Sequence, residues 1–244
     1  MTRVAIVTGG GRGIGRASCI ELGRLGWRVA VVDVDGQAAR EAAAATGGDA
    51  SAHAADVTDE EAVDRAVAEI AAVHGGVDGL VTCAGIMRRG AVAELTVDDW
   101  EAVTASHLRG AFLCVRAVAP LLSARGWGRI VLVSSVAARG LAHHVPYAAA
   151  KAGVVGMARS LSLELGPRGV TVNAVAPGFV DTRLTRAIAD RTGREWESIA
   201  GEQASETALR RIGTPEDVAR VIGFFCSDAA GFVTGQTLVV SGGP

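Results

Sequence analysis

A chain of 244 residues with 49% hydrophobic and 4% aromatic content has room for one large α/β domain, and no shift in composition marks a second, so residues 1–244 read as a single unit. A net charge of −2, from 24 basic and 26 acidic residues of interspersed sign, gives no electrostatic case for nucleic acid or an anionic membrane. The four scattered cysteines (Cys19, Cys83, Cys114, Cys226) lack metal spacing and a disulfide pattern, and no leader or long apolar run is present, so a cytoplasmic protein with free thiols and no metal is expected.

The first element is a short apolar strand, Val4–Thr8, followed at once by Gly9-Gly10-Gly11-Arg12-Gly13-Ile14-Gly15 and a helical pattern to about Leu25. Glycines let a backbone turn sharply and approach a phosphate, and a helix N-terminus offers free N–H groups and a positive dipole end. Glycine loops are common; the order strand, loop, helix is what points to a dinucleotide. Trp27–Val32 is a second buried strand, ending in Asp33 eighteen residues after Gly15. A carboxylate there can accept hydrogen bonds from ribose hydroxyls and would repel a 2′-phosphate, which favours NAD over NADP. Arg12 is the opposing signal, since a base in the loop could pair that phosphate. The directly facing carboxylate is expected to prevail.

Residues 37–46 form an Ala-rich helix, and Ala50–Ala54 a third strand with Asp56 and Val57 at its end. Asp59–His74 is amphipathic, with Val63, Val67 and Ile70 on one stripe. Gly79–Thr82 is a fourth strand running into Cys83-Ala84-Gly85, small residues that either admit a ribose or simply make a tight exit. Asp98–Leu122 carries a long helical pattern interrupted near Gly110.

The stretch 128–151 then combines a buried strand at Ile130–Val133, two serines, and an Ala-rich helix bearing Tyr147 and Lys151. Residues four apart share a helix face. An ammonium beside a phenol favours the phenolate and is expected to lower its titration point, giving an acid/base usable near neutral pH. A Tyr four residues before a Lys is ordinary on helices. Here Tyr147 is the only tyrosine, and the chain opens with a cofactor-type loop. A sixth strand, Thr171–Ala176, ends in Pro177-Gly178, and a last one, Leu238–Val240, precedes Ser241-Gly242-Gly243. Strands alternating with helices mean a parallel sheet covered on both faces, with ligands at the carboxyl ends of the strands. The charged stretch 181–213 carries two short helical patterns beside that end and is expected to form a substrate lid.

Together these residues resemble the short-chain dehydrogenase/reductase family over essentially the whole chain. Thr8-Gly9…Gly13-Ile14-Gly15, Tyr147…Lys151 after Ser134-Ser135, Asn173-Ala174-Val175-Ala176-Pro177-Gly178, Pro215–Ala219 and Thr234-Gly235-Gln236 match its motifs in order. The resemblance implies a Rossmann-like doubly wound sheet of about seven parallel strands, commonly assembled as a homotetramer through the long helices. It implies Tyr147 as acid/base, Lys151 as its pKa depressor and ribose holder, and Ser135 as donor to the substrate oxygen. Gly9, Arg12, Gly13, Ile14, Gly15, Asp33, Asp56, Val57, Ala84, Gly85, Pro177, Gly178, Val180 and Thr182, with Tyr147 and Lys151, would line the cofactor.

Three departures stand out. His107 occupies a position where many members have Asn supporting a water-linked proton relay, and an imidazole titrating near ~6.5 would give that relay a different pH dependence. Thr82-Cys83-Ala84-Gly85 replaces Asn-Asn-Ala-Gly. The loop before Tyr147 is one residue shorter than the common spacing, leaving Ser134 as an alternative to Ser135. The expected activity is NAD(H)-dependent interconversion of a small secondary alcohol and its ketone. The alternatives are an NADPH-dependent 3-oxoacyl-thioester reductase and a dinucleotide-binding protein without turnover.

Overall fold

In the computed structural model, which describes residues 2–243, strands and helices alternate along the chain. The strands are β1 (Val4–Thr8), β2 (Arg28–Asp33), β3 (Ser51–Ala54), β4 (Gly79–Thr82), β5 (Gly128–Val133), β6 (Val170–Pro177) and β7 (Thr237–Val240). All pair in parallel, in the order β3-β2-β1-β4-β5-β6-β7. The order reverses between β1 and β4, and such a switch point opens a crevice at the carboxyl ends.

The helices are α1 (Gly13–Arg24), α2 (Gly36–Thr46), α3 (Glu60–His74), α4 (Val97–Thr104), α5 (Gly110–Arg125), α6 (Val145–Leu165), α7 (Arg183–Thr192), α8 (Trp196–Ser205) and α9 (Pro215–Cys226). Strand periodicity divides the core. In β1, Val4 and Ile6 pack with Ile70 of α3, Val118 of α5 and Val154 of α6. Ala5 and Val7 face the other way, onto Leu22 of α1, Ala42 of α2 and Ile222 of α9. Burying one such Val, Leu or Ile side chain contributes about 1.5–3 kcal/mol, so both faces must be covered for the sheet to form. Among the described residues, no helix is long and apolar enough to cross a membrane.

Two boundaries matter to the site. β2 extends through Asp33, so that residue leaves the sheet pointing toward the glycine loop. The long helical pattern is interrupted near Gly110, as read, and the interruption is a π-turn, Ala105–Arg109. Gly110 continues into α5 and marks a close approach: a Cβ there would lie 2.9 Å from Val57 Cγ2. The π-turn rotates Ser106 and His107 inward, where both are buried.

Candidate active site

The glycine loop is shaped by contacts that exclude side chains. A Cβ on Gly15 would sit 2.0 Å from the Gly9 carbonyl oxygen, and one on Gly9 (φ 61°) would sit 2.7 Å from Ala84 Cα. The loop therefore lies directly against the exit of β4. Arg12 provides no side-chain cap for α1, and the first turn of α1 holds no acidic residue. Its N–H groups and positive dipole end remain available to an anion. A pyrophosphate suits this cradle, and Asp33 stands where it could hold the group such a pyrophosphate belongs to. That carboxylate is oriented by the backbone, accepting from Gly11 N at 2.9 Å through Oδ2 and from Asp35 N at 3.0 Å through Oδ1. Arg12 does not reach toward Asp33; its Nη2 lies 2.7 Å from Asp35 Oδ2.

Other cofactor candidates surround the same crevice. Asp56 Oδ1 accepts from the backbone and hydroxyl of Thr58, each at 2.8 Å, fixing the turn after β3, while Val57 is buried against Gly110. Gly178 N donates to Val240 O at 2.9 Å, locking the exit of β6 to β7. Val180 is buried, and Thr182 caps α7 by accepting from Thr185 N. A Cβ on Gly13 would meet Thr182 Cγ2 at 3.6 Å, so the segment after β6 lies across the crevice from the loop. The 181–213 excursion closes on itself: Asp181 N donates to Gly213 O and Gly213 N to Phe179 O, each at 2.9 Å. Trp196 stacks on Phe179 at 6.0 Å, with the Arg186 guanidinium 4.8 Å from its ring.

The Tyr147, Lys151, Ser135 and His107 side chains converge beside β4 and β5. Ser135 Oγ accepts from Ala137 N at 3.1 Å, which fixes the hydroxyl at the end of β5, and it faces the phenol and favours its ionised form. Ser134 points the other way: it is buried and donates to the Lys151 carbonyl at 2.8 Å, tying β5 to α6. Of the two serines, Ser135 is the one free to meet a substrate oxygen.

The electrostatics correct the simple pairing argument. Lys151 Nζ donates to Val133 O at 2.6 Å, and it stands 5.7 Å from the centroid of the Tyr147 ring. Burial pushes this amine down to about 8. Burial also raises Tyr147 above the ordinary phenol value, the Ser135 hydroxyl opposing it only in part. Desolvation thus outweighs the Ser135 hydrogen bond, and the phenol keeps its proton at neutral pH.

His107 departs from expectation as well. Burial, helped by the nearby Lys151 charge, pushes its imidazole down to about 3, so it does not titrate near 6.5. Its Nε2 lies 2.7 Å from Ile86 O, an atom that only accepts; Nε2 therefore carries the proton and Nδ1 is a bare acceptor. That Nδ1 is buried with no partner among the described residues. The ring meets Tyr147 edge-on at 5.1 Å and fills the space over Gly85, where a Cβ would lie 1.9 Å from His107 Cε1. Cys83 is no nucleophile, since burial pushes its thiol up to about 12.

A protonated phenol, a serine hydroxyl and an anion-binding crevice on one sheet end can deliver a proton to a carbonyl oxygen beside a bound dinucleotide. The family model described as enoyl-(acyl carrier protein) reductase matches residues 9–244. The chain belongs to the short-chain dehydrogenase/reductase family. Within that family of oxidoreductases it falls in the 3-oxoacyl-reductase-like branch. It is 43% identical over 243 residues to the short-chain reductase protein NovJ of Streptomyces niveus, covering 98% of this chain and 93% of that one. It is 36% identical over 248 residues to the 3-oxoacyl-[acyl-carrier-protein] reductase FabG of Staphylococcus aureus, covering 100% of this chain and 98% of the relative. The crystal structure of levodione reductase superposes with a TM-score of 0.94 at 32% identity, covering 98% of this chain and 96% of that one.

Two participants in this site went unread in the sequence. Asp35 stands just before a helical pattern, an ordinary N-cap signature, but its ion pair with Arg12 depends on how β2 and α1 meet. The Ile86 carbonyl that fixes the His107 tautomer carries no sequence signal at all.

Proposed function

We propose that this oxidoreductase reduces the 3-oxo group of a carrier-bound acyl thioester, with NADH as hydride donor. The observation that carries the reading is the protonated Tyr147 phenol beside the Ser135 hydroxyl at the open end of the crevice. A proton donor is what reduction of a carbonyl requires, the same phenol serving as base in the reverse oxidation, and the reductive direction follows the 3-oxoacyl reductase relative. When bound, the nicotinamide supplies the hydride that turns the carbonyl carbon into a carbinol carbon. Ser135 donates to the carbonyl oxygen and polarises it, and Tyr147 passes its phenolic proton to that oxygen as negative charge develops there. Lys151, charged below about pH 8, favours the phenolate left behind and offers N–H donors to the ribose. His107 acts as a fixed acceptor rather than a titrating relay. Residues 181–213 serve as the lid.

The thioester substrate follows the name of the Staphylococcus aureus relative and is narrower than a general ketone. For the cofactor, NADH is favoured because both Asp33 oxygens are already oriented by backbone N–H groups beside the glycine loop, where a ribose 2′-phosphate would meet like charge. Assembly as a homotetramer agrees with the exposed Phe112 of α5 and Leu163 of α6, and light scattering tests it.

The test is reduction of acetoacetyl-CoA followed by loss of nicotinamide absorbance, with NADH and NADPH in parallel. The expected result is turnover with a higher kcat/KM for NADH, and no reduction of crotonyl-CoA. Preference for NADPH overturns the cofactor assignment. Reduction of crotonyl-CoA, or of free ketones alone, overturns the substrate assignment.

A further inference from the structure

We propose that Asp35 is a second determinant of cofactor choice, acting by holding the Arg12 guanidinium away from the place a ribose 2′-phosphate would occupy. This rests on the NAD reading above and names a residue through which that preference is set.

Arg12 is the one cation in the segment 9–15, next to Gly11, whose N–H orients Asp33. A flexible arginine there is the natural partner for a phosphate on the ribose. Its side chain is half-exposed, yet it is tied down: Nη2 lies 2.7 Å from Asp35 Oδ2. The anchor is rigid. Asp35 Oδ1 accepts from Gln37 N and Ala38 N, both at 3.1 Å, as the N-cap of α2, so its carboxylate cannot swing out with the arginine. Those backbone bonds and the guanidinium hold Asp35 below the usual carboxylate range, and the anion persists at any working pH.

The two acidic residues therefore divide the work. Asp33 meets the ribose and repels a phosphate directly. Asp35 removes the counter-charge that would otherwise offset that repulsion. A chain keeping Asp33 and Arg12 but lacking Asp35 would discriminate less sharply between the two dinucleotides.

Asp35→Asn tests this, because Asn caps a helix as well as Asp and lacks the charge. The readout is the affinity ratio of 2′,5′-ADP to 5′-ADP, measured by titration calorimetry on the full chain. The proteins are wild type, Asp35→Asn, Arg12→Ala and the double variant. The expected result is a shift of the ratio toward 2′,5′-ADP of about three- to fivefold in Asp35→Asn, the range a solvent-exposed ion pair supports. The shift shrinks as salt rises and is absent from the double variant. An unchanged ratio in Asp35→Asn overturns the proposal. So does an equal shift with and without Arg12, which would mean simple loss of carboxylate repulsion. A wild-type preference for 2′,5′-ADP would instead contradict the NAD reading, whereas the role of Asp35 stands or falls on the change between variants.

Discussion

Replacing His107 with Asn changes how the protein's stability responds to acid. In the folded chain the imidazole is pushed from 6.5 down to about 3 by burial and the Lys151 charge; unfolded, it returns to its ordinary value. Between those two points the unfolded state binds the extra proton, so stability falls as pH drops through about 6.5 toward 3. At about pH 4.5, two units below the unfolded value, the loss amounts to about 3 kcal/mol at 1.36 kcal/mol per unit. That is a large part of the 5–15 kcal/mol, roughly, that holds a typical domain together. Urea unfolding of wild type and His107→Asn at about pH 7.5 and about pH 4.5 reads the effect. Substitution adds an offset at neutral pH from altered packing. On acidification the difference moves by about 3 kcal/mol in favour of the variant. His53 and His74, both lowered mainly by burial, titrate alike in the two proteins and cancel. Parallel stability profiles would refute the claim that this imidazole is held neutral in the fold.

Three further outcomes follow from the same geometry. The kcat/KM for reduction falls as pH rises through about 8, where Lys151 loses its charge while Tyr147 retains its proton; a flat profile from about pH 7 to 10 would count against the assigned roles. Ser134→Ala lowers stability by about 0.5–1.5 kcal/mol because the hydrogen bond tying β5 to the Lys151 carbonyl of α6 is lost, whereas Ser135→Ala lowers kcat by about 10²–10³; denaturation and turnover measured on both separate them, and the reverse pattern exchanges the two roles. Gly15→Ala abolishes 5′-ADP binding by calorimetry, since a methyl 2.0 Å from the Gly9 carbonyl forces the loop open, and undiminished affinity would contradict the cradle.

Much of the architecture was legible because parallel strands buried on both faces leave continuous apolar runs, as at Val4–Thr8 and Ile130–Val133. The glycine loop, Asp33 and the Tyr147–Lys151 spacing were legible because backbone close approach and helix periodicity are local properties. What escaped was tertiary. Four-residue spacing puts a phenol and an amine on one face, but it does not disclose that Lys151 donates to Val133 or that burial raises Tyr147. The residue type at His107 suggests titration near neutrality; only its burial among Gly85, Tyr147 and Lys151 reveals an imidazole that stays neutral. The interruption near Gly110 was legible, but the close approach of Gly110 to Val57, which no side chain would allow, was not. Arg12 read as the signal opposing NAD, but its ion pair with Asp35, 23 positions away, depends on how the loop and β2 meet and could not be read.

The central claim is that Tyr147 passes the proton in the reduction step. Single-turnover reduction of acetoacetyl-CoA by Tyr147→Phe, with NADH bound beforehand, tests it most directly. The rate is expected to fall by about 10²–10⁴, the usual contribution of a positioned general acid. A variant that transfers hydride within a few-fold of wild type would contradict it.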